Sequence, residues 1–174
     1  YLAAFTAALL NNQPMGFYTP ATLVKDARRH GVRVRSVCAA VSKWDCEVDE
    51  DGSLRLGLRV VRGLSSEHGH ALVEERMRRP FDSLEDLRRR VPLDRDELRA
   101  LASIGALASF SAHRREALWR MECALREGDL FENANAGAGA CHAPLRAMTP
   151  MERLEADYEG TGLTVGPHPM ALMR

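Results

Sequence analysis

No apolar run in this 174-residue chain approaches the roughly 20 residues that a helix needs to cross a bilayer. Its start also lacks the charged, apolar and small-residue succession of an export signal. No membrane partner is expected, and the setting expected is cytoplasmic. Four cysteines, Cys38, Cys46, Cys123 and Cys141, include no C-x-x-C pair, which fits free thiols better than a disulfide framework. Nor is a metal site expected. His68 and His70 lie two apart, a spacing that on a helix does not share a face, and Cys141-His142 has no matching second pair. No cluster of carboxylates is present that would hold two metal ions. Catalytic residues and a bound cofactor are therefore expected to be absent from this chain. A starting methionine is missing too, and the chain reads as a monomeric piece of a longer protein.

Net charge is also lacking, with 24 Lys and Arg against 24 Asp and Glu. The balance is uneven along the chain. Residues 55–126 hold 15 cationic against 11 acidic side chains, and the remainder holds 9 against 13. A local surplus of this size allows weak, salt-sensitive attraction to a polyanion.

What the chain does have is a pair of glycine turns set before helices. Residues 56–76 run from a short apolar segment through Arg62-Gly63-Leu64-Ser65-Ser66 into a capped helical pattern. Glycine admits a close backbone approach, and the N–H groups that open the next helix form an anion site with the positive end of its dipole. Residues 94–126 repeat the plan, with a helix ending at Ser103, the turn Ile104-Gly105-Ala106-Leu107, and another helix expected near Ser111. Two such hairpins can hold both strands of duplex DNA through the phosphates without reading bases. The candidate DNA-binding residues are Arg62, Gly63, Leu64, Ser65, Ser66, Gly105, Ala106 and Leu107. Plain helix C-caps in a bundle would use the same glycines. Arg78-Arg79 and Arg88-Arg89-Arg90 read as a solvated face, and Trp44 and Trp119 as core or cover residues.

The rest of the pattern is mostly helical. Leu2, Phe5 and Leu9 share a face, which predicts a docked helix over the first twelve residues. Thr19-Pro20 starts a second helix, which closes at Arg28-Arg29-His30-Gly31. Residues 32–34 alternate like a short strand, and residues 44–48 and 54–58 flank Asp49-Glu50-Asp51-Gly52-Ser53 as a β-hairpin would. Ser83-x-x-Asp86, Asp94-x-x-Glu97 and Thr149-Pro150-Met151-Glu152 carry helix-start signals. Residues 133–143, rich in Ala, Gly and Asn, read as a linker.

Several motifs, in order, resemble bacterial C-family DNA polymerases of the error-prone branch, relatives of the replicative polymerase III alpha subunit. They are Phe5-Thr6-Ala7-Ala8-Leu9-Leu10-Asn11-Asn12-Gln13-Pro14-Met15-Gly16-Phe17-Tyr18, Asp26-Ala27-Arg28-Arg29-His30-Gly31-Val32 and Trp44-Asp45-Cys46. Leu56-Gly57-Leu58-Arg59 with Gly63-Leu64, Arg114-Arg115-Glu116-Ala117-Leu118-Trp119, Asp157-Tyr158, Thr161-Gly162-Leu163 and His168-Pro169-Met170 continue the series. The chain departs from the family at Cys38-Ala39-Ala40, where Asp-Val-Asn is usual, and at Ser65, where many hairpins have glycine.

The resemblance implies a mainly α fold with a small β-hairpin: a tandem helix-hairpin-helix core plus helices from the fingers. It divides the chain into the end of the fingers (1–41), a β-hairpin connector (42–58), the tandem hairpins (59–126), a clamp-binding motif and linker (127–148), and a helix leading toward an oligonucleotide-binding fold (149–174). It also implies that Glu127-Gly128-Asp129-Leu130-Phe131 is the short motif with which family members bind the bacterial sliding clamp, with Glu127 in place of the usual Gln. Polymerisation, with its Mg2+ requirement, would belong to the palm of the parent polymerase, outside this chain. A non-catalytic DNA-binding and clamp-tethering segment of an error-prone, translesion polymerase is the reading expected. A stand-alone helix-hairpin-helix accessory protein of repair or recombination, and a purely structural helical domain, remain as alternatives.

Overall fold

Helix starts follow the local cap chemistry closely. A Ser, Thr or Asp side chain at the N-cap accepts an N–H that the first turn would otherwise leave bare. Thr19 does this for α2 (Pro20–Arg29), Ser65 for α3 (Ser66–Arg78) and Ser83 for α4 (Leu84–Arg90). Reciprocal capping boxes start α5 (Arg95–Ser103) through Asp94 and Glu97, and α7 (Pro150–Thr161) through Thr149 and Glu152. With α1 (Leu2–Asn11) and α6 (Arg114–Arg126), these are the α-helices of a computed structural model that describes residues 1–126 and 145–172.

The expected β-hairpin is present and shorter than the alternation implies. Strands β2 (Glu47–Val48) and β3 (Leu54–Arg55) pair antiparallel across the 49–53 loop. A third strand, β1 (Val34–Arg35), lies two residues later than expected and pairs parallel to β3, which is central. Asp49 and Asp51 organise the loop. Arg55 grips the Asp49 carboxylate with Nε and Nη2 at 2.8–3.1 Å and lowers its pKa. The Ser53 hydroxyl and N–H hold the Asp51 carboxyl down at about 2.

One cluster of buried residues runs through the chain, with Leu54, Leu56, Leu58, Leu72, Leu84, Leu87, Leu98, Leu101, Leu107 and Met121 at its centre. The face that α1 buries is a correction to the sequence reading. Thr6, Ala7 and Leu10 are covered, whereas Leu2 and Phe5 are exposed, Phe5 at 61%. Leu-Ala-Ala-Phe-Thr-Ala-Ala-Leu-Leu is apolar nearly all round, so its pattern does not choose a face. Small Ala7 and Thr6 are free to lie against the sheet and α2. Asn11 then fastens the helix by exchanging two hydrogen bonds with the Cys46 backbone, at 2.8 and 2.9 Å.

Close backbone approaches explain two glycines. At Gly57 an added Cβ would lie 2.3 Å from the Trp44 carbonyl oxygen and the Asp45 carbonyl carbon. At Gly69, on α3, it would meet the Trp44 ring at 2.3 Å. Trp44 is therefore a cover over α3, while Trp119 on α6 is 36% exposed. Cys38 and Cys46 are free thiols, and Cys46 is buried.

The obstacle at Gly57 is backbone and cannot swing aside. Gly57→Ala should lower the unfolding free energy by about 2 kcal/mol, within the range for overpacking. Urea denaturation followed by circular dichroism measures this, and an unchanged midpoint would show that residues 44–45 can move away from residue 57.

Candidate nucleic-acid interface

Both hairpin glycines take the left-handed conformation, Gly63 at φ 84° and Gly105 at φ 80°. Each turns the chain between a helical segment and the approach to the next helix, and each is followed by a buried apolar residue, Leu64 or Ala106. The two turns differ in what they leave open.

The first turn follows a single 3-10 turn, Leu58–Val60, in place of a full helix. Gly63, Ser65 and Ser66 are exposed and Leu64 is buried. The Ser65 hydroxyl accepts the His68 N–H at 3.2 Å. The Ser65 N–H donates at 2.9 Å to Oε1 of Glu97. Among the described residues, the N–H groups of Gly63 and Ser66 meet no acceptor. Arg62 donates its N–H to the Gly160 carbonyl at 2.7 Å, and its Nη1 lies 3.3 Å from the carbonyl oxygens of Tyr158 and Glu159. Its guanidinium thus caps the end of α7, where a cation is favourable.

At the second turn two of the three N–H groups named from the sequence, those of Gly105 and Ala106, are consumed internally. Gly105 donates to Ala102 and Ala106 to Leu101, the two bonds of a Schellman C-cap on α5. Ala106 and Leu107 are 0% exposed, so neither presents its backbone to a ligand. The following helix also opens later than Ser111. Residues 108–113 form turns, with Phe110 edge-on to Phe81, and the His113 ring accepts the Glu116 N–H at 3.0 Å where α6 begins. The exposed surface here is Ala108 and Ser109, next to the partly exposed Gly105. Gly105 has a steric role as well, since a Cβ would lie 2.6 Å from Arg114 Nε. From there Arg114 Nη1 reaches the carbonyl oxygens of Ser103 and Arg153 and the Asp157 carboxylate, the last at 2.7 Å.

Glu97 is the residue that the sequence reading placed only as a helix-cap carboxylate. Its side chain is 5% exposed, and it joins the two hairpins. Besides the Ser65 N–H it takes the Asp94 N–H at 2.9 Å and His68 Nδ1 at 2.6 Å. Burial pushes the carboxyl pKa up, but these three donors outweigh it and the net direction is down. The same contact raises the His68 pKa above its ordinary 6.5. His68, Asp94 and Glu97 are, among the described residues, the one group with metal-ligand spacing. Its donor set fits a metal poorly, because both Glu97 oxygens and the Asp94 side chain already accept N–H groups. His70, by contrast, stacks on Trp44 with ring centroids 5.2 Å apart.

Three arginines of the 78–90 stretch are likewise engaged within the protein. Arg79, Arg89 and Arg90 converge on Asp86 at 3.1–3.3 Å. Burial opposes its ionisation, but these arginines and the Asp82 N–H hold the Asp86 carboxyl at about 2. Arg90 also lies 4.7 Å over the Phe81 ring.

The His68–Glu97 contact makes stability depend on pH with a defined sign. A raised histidine pKa contributes stability that is complete below pH 6.5 and is lost as pH rises through the higher folded value. The lowered Glu97 pKa contributes stability that is present above the ordinary carboxylate range and is lost on acidification. Urea midpoints of the parent chain and His68→Ala should therefore differ most between about pH 5 and 6.5 and converge toward pH 9. A constant difference across that range would mean that His68 acts by packing alone.

The family described as helix-hairpin-helix motif matches residues 31–117. Similar curated proteins include the error-prone DNA polymerases of Alkalilimnicola ehrlichii, 45% identical over 99% of this chain, and of Azoarcus sp., 43% identical over 98%. That of Dechloromonas aromatica is 42% identical over 99%. The chain spans 17% of the length of each of these relatives. The matched stretch takes in half of the chain, from just before β1 through both glycine turns to the start of α6, so the chain belongs to the helix-hairpin-helix motif family and resembles, over nearly all its length, one segment of error-prone DNA polymerases.

Proposed function

We propose that this chain is the duplex-DNA-binding segment of an error-prone DNA polymerase. The observation that carries the reading is the first hairpin, where a left-handed glycine sets the unpaired N–H groups of Gly63 and Ser66 at the exposed N-terminus of α3. Such a terminus takes a phosphate through its N–H groups and dipole. Arg62 lies one residue before the glycine and retains guanidinium donors beyond the two contacts it makes to α7. On the second hairpin, the contact falls to exposed Ser109, whose N–H meets no acceptor among the described residues, since those of Gly105 and Ala108 are bonded to Ala102 and Gly105. Leu64, Ala106 and Leu107 support the turns from within.

Sequence-independent binding follows from contacts of this kind, since phosphates position a protein without specifying bases. Affinity is modest. Glu97 already occupies one N–H of the first hairpin, and the chain carries no net charge. The parent polymerase would supply polymerisation and its Mg2+ from residues outside this chain.

Ser66 offers a clean test, because an acidic side chain in the first turn suits the helix and repels phosphate. Ser66→Glu should weaken binding to a blunt duplex at least about fivefold without lowering thermal stability, and binding of the parent chain should fall with salt at a log–log slope near −3 if about three phosphates are contacted. Fluorescence anisotropy measures both; unchanged affinity in a folded Ser66→Glu variant would remove the first hairpin from the interface.

We further propose that Glu127, Gly128, Asp129, Leu130 and Phe131 tether the parent polymerase to the sliding clamp, a motif that lies outside the described residues. What supports this is sequence alone: an apolar-aromatic pair directly after the last hairpin helix, where family members carry their clamp motif. Leu130 and Phe131 are the anchors. Changing both to Ala should cost at least roughly 2 kcal/mol of clamp affinity, as short interfaces concentrate energy in a few residues. Glu127→Gln should strengthen binding. Surface plasmon resonance on purified clamp decides, and equal affinity of the double Ala variant would refute the tether.

A further inference from the structure

A second cationic surface lies away from both hairpins, in a cavity of about 520 Å³ between α2 and the segment that follows α7. Lys25, Arg28 and Arg29 enter it from α2, three and four positions apart and so on one helical face. Ala21 and Val24 lie beneath them, and Tyr158, His168 and Pro169 form the opposite side. We propose that this cavity binds one nucleotide unit of a single-stranded nucleic acid, with the phosphate on the α2 cations and the base against Tyr158 and Pro169.

Charge is the first argument. Among the described residues, no acidic one lines the cavity. Lys25 and Arg29 have no ion pair or hydrogen bond from their side chains among the described residues, unlike most arginines of this protein. The neighbouring acids are committed elsewhere. Asp26 lies beside His30, and Asp157 is held by Arg114 at 2.7 Å and by the Thr164 hydroxyl at 2.8 Å. Three cations that no carboxylate compensates among the described residues, in a chain of zero net charge, favour an anionic ligand.

Preorganisation is the second. Arg28 is anchored by a 3.0 Å hydrogen bond to the Gly166 carbonyl, which ties α2 to the far wall. His168 accepts the Met170 N–H on Nδ1 at 3.2 Å, which leaves Nε2 as the ring nitrogen able to donate. The Tyr158 hydroxyl meets no partner among the described residues, and Tyr158 is 38% exposed.

Shape decides between single strand and duplex. A duplex turns phosphates and sugars outward and keeps its bases stacked, so it has nothing to place on an apolar concave floor. An unpaired strand offers a phosphate and a base together, and cationic grooves with aromatic side chains suit it. The volume is within the range of sites for small ligands. This site is distinct from the hairpins, although α7 connects them: Tyr158 lends its side chain to the cavity and its carbonyl to Arg62.

Fluorescence anisotropy on the 174-residue chain tests the proposal with two probes, a labelled oligothymidylate of about 12 nucleotides and a blunt duplex. Lys25→Ala/Arg29→Ala should weaken oligothymidylate binding at least about fivefold, and duplex binding less than about twofold. Tyr158→Ala should also weaken the single strand. Arg33→Ala/Arg78→Ala, which removes two exposed charges that do not line the cavity, should leave it unchanged. Equal losses on both probes, equal losses in the Arg33/Arg78 control, or unchanged oligothymidylate affinity would each overturn the proposal. So would competition by thymidine monophosphate at the affinity of the oligonucleotide, which would make the ligand a free nucleotide. If Ser66→Glu leaves duplex binding intact while the oligothymidylate results hold, the hairpin reading fails and this one stands.

Discussion

Glu97 is the constraint on which the arrangement of the hairpins depends. A carboxylate taken out of water is costly unless its oxygens are fully engaged, and here two backbone N–H groups and an imidazole engage them. Two of the three donors belong to the first hairpin and the start of α3, and the third to the start of α5. Both helix N-termini thus converge on one negative charge, which their dipoles favour. The arrangement also bears on DNA. A helix N-terminus that already holds an internal carboxylate has less positive potential to offer a phosphate, which accords with the modest affinity proposed above.

The second determinant is how closely α7 approaches the two turns. A Cβ on Gly160 would lie 2.3 Å from Ile104 Cγ2, and one on Gly162 would lie 2.7 Å from Arg62 Nη2. Arg62 of the first turn and Arg114 beside the second both donate to the α7 backbone. The helix beyond the 127–144 stretch is thereby part of the same body as the hairpins, bound at both turns. Its C-terminal end then passes to the cavity on α2, so the two glycine turns and the α2 cations are held in one frame.

Much of this was legible locally. The caps at Thr19, Ser65, Ser83, Asp94 and Thr149 stand where their side chains predict, because a cap needs only an oxygen and an N–H two or three residues away. The glycine turns at 63 and 105 were legible for the same reason, as was the 49–53 loop. Where the pattern was uniform or the partner remote, it misled. α1 is apolar on every side, and only packing selected Ala7 and Leu10 over Leu2 and Phe5. Strand β1 was displaced because its register is set by β3, twenty residues later.

By itself the sequence determined the helix boundaries set by caps, the two glycine turns, the short β-hairpin and the likeness to error-prone DNA polymerases, all matters of local chemistry or of motif order. Tertiary structure alone decided which N–H groups at those turns are open. Glu97 takes the Ser65 N–H from 32 residues away, and core packing hides Leu107. It also decided that, among the described residues, Lys25 and Arg29 stay unpaired while other arginines find carboxylates. Availability to a ligand is what remains after internal partners are satisfied, and those partners are brought together only when the chain folds.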